Sequence, residues 1–158
     1  MIDGVIIKDL VRNEDKRGWL AELWREDQLP NHLPAMSYIS VTNPGMTRGP
    51  HEHIYQTDMF FFVSGSFHLW LWDNREKSPT KGTSEVIQTH WYNMKMVIVP
   101  PGVVHAYKSM SNLGIVINCP NMLYKGTNKE YPVDEIRHED GGDPKYKEEM
   151  LAYYEQAV

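Results

Sequence analysis

Histidine and carboxylate side chains with the spacing of a metal or proton-transfer site lie near the middle of the chain. His51 and His53 are separated by one residue, and Asp58 follows five residues after His53. Side chains alternate between the two faces of a strand, so the two histidines point the same way if they lie in one. His105 follows a turn at residues 100–102 and could converge on them. Imidazole and carboxylate suit a first-row transition metal, so these four residues are a candidate metal site.

The same residues also allow an interpretation without chemistry. A single histidine in a strand is commonly a surface residue or a satisfied core donor. Two of them at positions i and i+2, with a carboxylate nearby, can be a polar patch at the mouth of a barrel. The histidine pair alone leaves the two interpretations evenly balanced.

Composition excludes several classes of protein. The formal charge is −5 and no run of Lys or Arg is present, which argues against nucleic acid or an anionic membrane as a partner. The lone cysteine, Cys119, rules out an internal disulfide and indicates a reducing compartment. Neither a signal peptide nor a membrane span is visible. We therefore expect a soluble, cytoplasmic protein.

Short apolar or alternating segments separated by turn residues dominate the first 120 positions. Residues 59–63 are apolar throughout, as in a strand buried on both faces, and residues 66–72 after Ser64-Gly65 predict the second strand of a hairpin. Many short strands with Gly/Pro punctuation indicate a sandwich or barrel. The other predicted strands are 5–10, 19–24, 36–42, 86–90, 96–99, 103–107 and 114–118.

The end of the chain has a different pattern. Asp143 can cap a helix and Pro144 suits its first position. Tyr146, Met150 and Tyr153 recur at i, i+4 and i+7, which predicts a short C-terminal helix packed on the outside of the barrel; a dimer contact is the alternative. With 158 residues, we expect one domain with a core at about 5–120 and an extension with a helix at about 121–158.

Two motifs resemble those of the cupin superfamily. Residues 45–65 have its first pattern: Gly, five residues, His-x-His, four residues, an acid, six residues and Gly. Residues 100–105 have the Pro-x-Gly-x-x-His of the second. The departures are Asp58 for the usual glutamate, Met94 for a glycine and Ser109 for an asparagine. This resemblance implies an all-β cupin fold, the double-stranded β-helix or jelly roll, here with a short C-terminal α-helix.

Three further segments resemble the dTDP-4-dehydrorhamnose 3,5-epimerase family. Residues 15–22 are similar to its Asp-x-Arg-Gly-x-x-x-Glu element, residues 48–51 to its Arg-Gly-x-His, and residues 73–82 to its Asp-x-Arg-x-x-Ser-Pro-Thr-x-Gly loop. The similarity runs from about Arg12 to Asp143. It implies a homodimeric jelly roll that acts on a nucleotide-linked 4-keto-6-deoxy sugar.

The resemblance also implies roles for individual residues. His51 matches the family's catalytic base, and imidazole suits this task because it titrates near neutral pH. Arg48 and Arg17 match positions that hold the diphosphate, where a guanidinium pairs well with phosphate oxygens. Glu22 matches a position near the nucleotide. The alternative for the arginines is an ordinary surface charge.

Some family positions are replaced. Asp58 stands where the epimerases have a lysine, Asn118 aligns with their proton-donating tyrosine, and a second tyrosine of that region corresponds to Tyr124. Residues 43–53 with 61–65 are also similar to zinc-binding cupin domains of other nucleotide-sugar enzymes. The Arg-Gly-x-His-x-His segment resembles sugar 3,4-ketoisomerases, which shuttle protons with two histidines. The gain of His53 and Asp58 therefore suggests a change from a metal-free site to a metal site.

We therefore predict an epimerase or isomerase of a nucleotide-linked keto-deoxysugar, assisted by a divalent transition metal (Zn, Fe, Mn or Ni) and without a nucleotide cofactor. The metal would act as a Lewis acid at the ketone. A metal-bound His51 could not be a free base, so Tyr107, Tyr124 or a bound water would then move the proton; without metal, His51 is the base. The alternatives are a metal-dependent cupin oxygenase or lyase and a non-catalytic sugar-binding cupin.

Overall fold

Strands make up most of the regular secondary structure in this computed structural model, which describes residues 1–155. Two short 3-10 helices, Thr127–Lys129 and His138–Asp140, and one α-helix lie near the C-terminus. The strands and the helix, in chain order, are β1 (Ile6–Asp9), β2 (Asn13–Asp15), β3 (Gly18–Leu20), β4 (Tyr38–Thr42), β5 (Thr47–Glu52), β6 (Asp58–Ser64), β7 (Ser66–Asp73), β8 (Ser84–His90), β9 (Lys95–Val99), β10 (Val103–Ser109), β11 (Gly114–Asn118), β12 (Ile136–Arg137) and α1 (Lys145–Glu155).

Two five-stranded antiparallel sheets form the core, and β2 and β3 form a separate hairpin. The first sheet has the strand order β1-β9-β6-β11-β4, and the second has β12-β5-β10-β7-β8. This arrangement, with the helix α1 at the end, confirms the predicted all-β cupin jelly roll. The strand β12 extends the second sheet beyond the predicted core limit near residue 120.

The strand β6 lies in the middle of the first sheet, and its burial follows from that place. It pairs with β9 on one side and β11 on the other. Phe60 and Phe62 pack in the core between the sheets, whereas Phe61 packs in a second cluster on the outer face. The apolar segment 59–63 is therefore a strand buried on both faces, as predicted. The continuous run of large apolar residues fits this double burial.

The predicted hairpin of 59–63 with 66–72 is wrong. The strand β7 pairs with β10 and β8 in the second sheet, so the chain changes sheets between Ser64 and Ser66. Gly65 permits this change: its φ is 81°, and a Cβ there would overlap the carbonyl oxygen of Leu113. The strand predicted at 19–24 is also wrong beyond Leu20, since the following residues pack on the outer face of the first sheet without pairing.

The C-terminal helix covers the outer face of the second sheet, as predicted. Asp143 Oδ1 accepts a hydrogen bond from the backbone N–H of Lys145 at 3.0 Å, which satisfies a free N–H at the start of the helix. Tyr146 and Met150 are buried against Trp72 and its neighbours on β7. The rings of Tyr146 and Trp72 lie 5.1 Å apart. The aromatic stripe is therefore packed against the barrel.

A buried carboxylate organises the loop between β7 and β8. Asp73 accepts hydrogen bonds from Arg75 Nε at 2.8 Å and from Thr80 Oγ1 at 2.6 Å, and Ser78 also donates to it. Burial raises the pKa of the Asp73 carboxyl, but these hydrogen bonds outweigh it, so the net pKa lies well below its usual range. The segment 73–82 is one of the motifs that resemble the family. Hydrogen bonds to its first residue, Asp73, thus hold it as a closed loop.

We expect Asp73→Asn to lower the free energy of unfolding by about 3 kcal/mol at pH 7, since a buried charge pair loses one partner. Because the pKa of Asp73 is lower in the folded state than its ordinary 3.8, the wild-type advantage is complete above that value. It is lost as the pH falls towards the folded pKa. Urea unfolding at pH 7 and at decreasing pH measures this difference.

The matched control is Glu76→Gln in the same loop, where an exposed carboxylate contacts Lys81. This surface ion pair should contribute less than about 1 kcal/mol. Equal losses of stability for the Asp73 and Glu76 variants would contradict the structural role of Asp73.

Candidate active site

A cavity of about 1440 Å³ opens between the two sheets and contains most of the predicted site residues. Tyr38 and Ser40 line it from the first sheet, and loop residues between 120 and 135 cover one side. The predicted site residues that line it are Arg48, His51, His53, Tyr107 and Tyr124. The sequence motifs that contain these histidines and Arg48 therefore converge on one cavity.

The strands β5 and β10 bring two of the predicted histidines side by side. His51 lies directly opposite His105 in the antiparallel register, and their ring centroids are 4.5 Å apart. Gly49 makes this approach possible, because a Cβ at its φ of 83° would overlap the carbonyl oxygen of His105. His53 lies one residue past the end of β5, and both His51 and His53 line the cavity, as strand alternation predicts.

Asp58 is the centre of a polar cluster beneath the cavity and is 1% exposed. Its Oδ2 lies 3.0 Å from His53 Nε2 and 3.2 Å from His105 Nε2. Its Oδ1 accepts hydrogen bonds from Gln56 Nε2 at 2.9 Å and from Asn118 Nδ2 at 2.8 Å. Four side chains therefore share one buried carboxylate, and the structure brings the predicted Asp58 together with both histidines.

Burial and charge act in opposite directions on this cluster. Burial raises the pKa of Asp58, but contacts with His105 and His53 outweigh it and hold the pKa well below its usual range. Burial lowers the pKa of His53, but the hydrogen bond and charge of Asp58 raise it to about 9. Burial, with the nearby His51, lowers the pKa of His105. The metal-free cluster therefore contains a carboxylate, a protonated His53 and a neutral His105.

The ring nitrogens of His53 and His105 have the arrangement that metal ligands use. His105 Nδ1 lies 3.0 Å from the carbonyl oxygen of Val103, and His53 Nδ1 contacts the carbonyl oxygen of Asp134. A carbonyl accepts, so Nδ1 carries the proton; when His105 is neutral, its Nε2 lone pair faces Asp58 Oδ2, and His105 then holds down the pKa of that carboxyl only through a cation at Nε2. This Nε2 is buried without a hydrogen-bond partner. Two hydrogen-bond acceptors that face each other need a cation between them. His105 Nε2 and Asp58 Oδ2 therefore fit as ligands of a divalent metal.

A fourth donor completes the possible metal site. Ligand atoms of the four predicted residues, His51 included, all lie within 4.8 Å of one another. A second set formed by His51, Glu135 and Glu139 meets the same criterion. His51 therefore belongs to both groups: its Nδ1 faces the two glutamates, and its other ring nitrogen, Nε2, would be the one left for a metal.

Glu135 and Glu139 are two site residues that sequence reasoning missed. Their carboxylate oxygens lie 3.4 Å and 3.7 Å from His51 Nδ1. Burial raises the pKa of Glu139, but its contact with His51 outweighs this and leaves the pKa below its usual value. The strand β12 carries them there, since Arg137 pairs with His51 in the register. A two-residue strand has no alternation to detect; the acidic cluster at 134–140 was the available signal.

Asp134 was missed as well, and it shapes the turn after His53. Its carboxylate accepts the backbone N–H groups of Tyr55 at 2.9 Å and of Gln56 at 2.7 Å. This turn carries the Gln56 side chain to Asp58. Asp134 thus fixes the positions of Tyr55 and Gln56, which lie within the first cupin motif.

Arg48 and Tyr107 occupy places that suit a ligand in the cavity. Arg48 donates from Nε to Thr42 Oγ1 at 3.1 Å and from Nη2 to the carbonyl oxygen of Val41 at 2.9 Å. These bonds fix the guanidinium at the cavity wall. The Tyr107 hydroxyl shares a hydrogen bond of 3.1 Å with Ser40 Oγ, and burial raises its pKa.

Arg17 and Glu22 lie away from this cavity. Arg17 contacts Asp15 within the β2–β3 hairpin, and the side chain of Arg17 is 82% exposed. Glu22 accepts a hydrogen bond from Arg25 Nη1 at 3.1 Å and lines a separate small depression. A single chain therefore does not bring the two residues to the histidines, and their predicted contacts with a nucleotide stay predictions.

Comparison with known proteins places the chain in a family. Residues 1–140 match the model of the dTDP-4-dehydrorhamnose 3,5-epimerase family. A spore coat polysaccharide biosynthesis protein, SpsL of Bacillus subtilis, is 37% identical over 118 residues, which are 74% of this chain and 78% of SpsL. A probable low-salt glycan biosynthesis epimerase, Agl13 of Haloferax volcanii, is 34% identical over 126 residues, which cover 78% and 81%.

Solved structures share the fold. A dTDP sugar isomerase from Desulfovibrio desulfuricans matches with a TM-score of 0.76 and 22% identity, covering 86% of this chain and 84% of that one. ChmJ, a 3'-monoepimerase from Streptomyces bikiniensis solved with dTDP-quinovose, matches with a TM-score of 0.77 and 22% identity, covering 86% and 70%.

Fold and site thus define an epimerase-like cupin. The chain belongs to the dTDP-4-dehydrorhamnose 3,5-epimerase family. The resemblance inferred from the motifs is therefore confirmed.

We expect Asp58→Asn to lower the pKa of the His53 imidazole in chelator-treated protein, because burial then acts without the opposing carboxylate charge. A histidine-ring NMR titration measures it. His68, stacked on Tyr154 on the outer face of the second sheet, is an internal control that should not change. An unaltered His53 titration would show that Asp58 does not control its charge.

Proposed function

We propose that this protein is an epimerase or isomerase of a nucleotide-linked 4-keto-deoxysugar. The observation that carries the proposal is His51 on the cavity wall with Glu135 and Glu139 beside its Nδ1. Family membership supports it, as do a relative named as a probable epimerase and a structural neighbour solved with a dTDP-sugar.

The reaction needs a base beside a ketone, and His51 fits this need. A ketone acidifies the neighbouring C–H bonds, so a base can remove a proton and leave an enolate. His51 Nε2 would accept that proton, and Glu135 or Glu139, which lie near Nδ1 without a formed hydrogen bond, would move closer to accept its N–H and stabilise the imidazolium. Glu135 and Glu139 are positioning residues in this scheme, because they act through His51.

The negative charge of Asp58 has to be compensated if an enolate forms nearby. In the metal-free cluster, the protonated His53 and the amides of Gln56 and Asn118 already surround that carboxylate. The cluster is close to neutral as a whole, so Asp58 need not repel the developing charge. Repulsion between Asp58 and the enolate was the main objection to catalysis by a chain with an acid in the position of the family's lysine. The near-neutral cluster removes that objection.

A metal-assisted version is the second candidate, and the buried, unpartnered Nε2 of His105 favours it. His51, His53, Asp58 and His105 would hold Zn, Fe, Mn or Ni. The metal would supply Lewis-acid stabilisation of the enediolate. In this version His51 is a ligand and the proton must be moved by a tyrosine of the cavity, Tyr107 or Tyr124, or by water.

Arg48 is the proposed contact for the substrate diphosphate. Two of its nitrogens are fixed by Thr42 and Val41, which holds the guanidinium at the cavity and lowers the entropy lost on binding phosphate. The cavity is large enough for a nucleotide-linked sugar.

A homodimer is proposed as well. The edge strand β4 exposes Ile39 and Val41, which are 65% and 49% exposed. Arg17 and Glu22 lie away from the cavity of their own chain, so a contact with nucleotide would have to occur in the cavity of a second copy.

Among residues 1–155 no helix is long and apolar enough to cross a membrane. A cytoplasmic location is proposed only from Cys119, the single cysteine of the chain, which forms no disulfide.

We expect His51→Asn to lower proton exchange about 10²–10⁴-fold. The wild type should incorporate solvent deuterium into a nucleotide-linked 4-keto-6-deoxyhexose, tested as dTDP, UDP, GDP and CDP sugars. His68→Asn, outside the cavity, is the matched control and should keep wild-type exchange. Binding of these sugars without exchange would indicate a non-catalytic sugar-binding cupin, and oxygen consumption would indicate an oxygenase.

The metal version predicts about one equivalent of a divalent transition metal in untagged protein, measured by elemental analysis. His53→Ala should lose it, because one of four ligands is removed. His90→Ala, a histidine on the edge strand β8, should retain the metal. Protein without metal would return His51 to the role of base, and metal retained by His53→Ala would contradict the ligand set.

A further inference from the structure

Tyr38 lies at the cavity in a position that the sequence motifs do not indicate. It is the first residue of β4 and lies directly opposite Asn118 on β11. It lines the cavity and is 44% exposed, so its side chain can meet a ligand. The same strand contributes Ser40 two residues further on, on the same face.

The hydrogen bonds of Asn118 determine how the Tyr38 hydroxyl is used. Asn118 Oδ1 accepts the backbone N–H of Met59 at 3.0 Å, which fixes the orientation of the amide. Its Nδ2 therefore donates, to Asp58 Oδ1 at 2.8 Å and to the Tyr38 hydroxyl oxygen at 3.0 Å. The phenol oxygen is an acceptor in this bond, so its own O–H remains free. Among the described residues nothing accepts that proton.

Tyr38 and His51 face the cavity from opposite walls. Tyr38 belongs to the first sheet, whereas His51 belongs to β5 of the second. Epimerisation requires that a proton leave one face of a carbon and that another arrive at the opposite face. A base and an acid on facing sheets satisfy this requirement without a movement of the sugar.

The two tyrosines suggested by sequence are placed less favourably. Tyr107 lies on β10, the strand next to that of His51, and is only 4% exposed. Its hydroxyl shares a hydrogen bond with Ser40, and its ring packs against Phe60 and neighbouring aromatic residues beneath the cavity. Tyr124 lies in the covering loop with 52% of its surface exposed, and its ring contacts Lys125 rather than a fixed partner.

We propose that Tyr38 is the acid that returns the proton in epimerisation, and that Asn118 is its positioning residue. This inference rests on the proposed function. The O–H bond of Tyr38 breaks, and the electron pair of the enolate forms the new C–H bond on the face opposite His51. The phenolate that remains accepts the Asn118 N–H bond and regains a proton from water, while the imidazolium of His51 releases one to water.

The environment of the phenol suits an acid. The pKa of Tyr38 is raised to about 12: burial is the main cause, the charge of Asp58 acts in the same direction, and the N–H donated by Asn118 opposes them. The hydroxyl therefore keeps its proton at neutral pH until an enolate, a stronger base, is formed beside it.

The test follows exchange and inversion separately in Tyr38→Phe, with the same dTDP, UDP, GDP and CDP 4-keto-6-deoxyhexoses in D₂O. Without the acid, His51 still removes the proton and returns deuterium to the same face. Exchange should stay within about 10-fold of wild type, while the inverted product should fall about 10²-fold or more. NMR of the sugar protons distinguishes the two. Tyr92→Phe, on an exposed ring stacked on His90, is the matched control.

The outcomes separate this proposal from the function on which it rests. If the wild type exchanges and inverts and Tyr38→Phe inverts equally well, Tyr38 is not the acid although the protein is an epimerase. Loss of inversion in Tyr107→Phe alone would transfer the role to Tyr107. Loss of exchange together with inversion in Tyr38→Phe would also overturn the proposal, since an acid is not needed for proton removal. If the wild type exchanges none of the sugars, the proposed function itself fails.

Discussion

One buried carboxylate determines the structure of the site. Asp58 is at the start of β6 in the first sheet, yet its Oδ2 contacts His105 of β10 in the second. An unpaired charge at this depth would cost several kcal/mol, so its partners cannot be removed singly without penalty. His53, Gln56 and Asn118 complete the set. The contacts of Asp58 thus join the two sheets at the floor of the cavity.

The same carboxylate requires a positive charge between itself and the imidazoles, and this requirement links structure to chemistry. A proton on His53 or a metal ion shared with His105 meets it, and the two alternatives leave His51 in different roles. In both, Nδ1 of His51 faces Glu135 and Glu139; in the first, its Nε2 acts as a base. In the second, it becomes a ligand. The proposed mechanism therefore depends on which cation occupies the cluster.

The sequence predicts the motifs of the site well but not the contacts between them. Strand alternation and the two cupin motifs placed His51 and His53 correctly, because these follow from local spacing. The prediction of a hairpin across Gly65 was wrong because a hydrophobic pattern does not show to which sheet a strand belongs. Glu135 and Tyr38 were missed because they reach the cavity only through strand pairing, by β12 and by β4. The acidic cluster at 134–140 is a weak signal for Glu135, and the residues around Tyr38 carry none.

The jelly roll also explains why the lost family tyrosine need not end catalysis. Asn118 stands where the resemblance places that tyrosine, and its amide has two N–H groups that bind Asp58 and Tyr38. The register of β4 with β11 places Tyr38 directly opposite Asn118, so a phenol is available on the same wall by cross-strand pairing. Because one amide contacts both groups, a change in the charge at Asp58 is felt by the phenol. The acid and the cation site are therefore parts of one network, and the identity of the cation should influence how readily the acid gives up its proton.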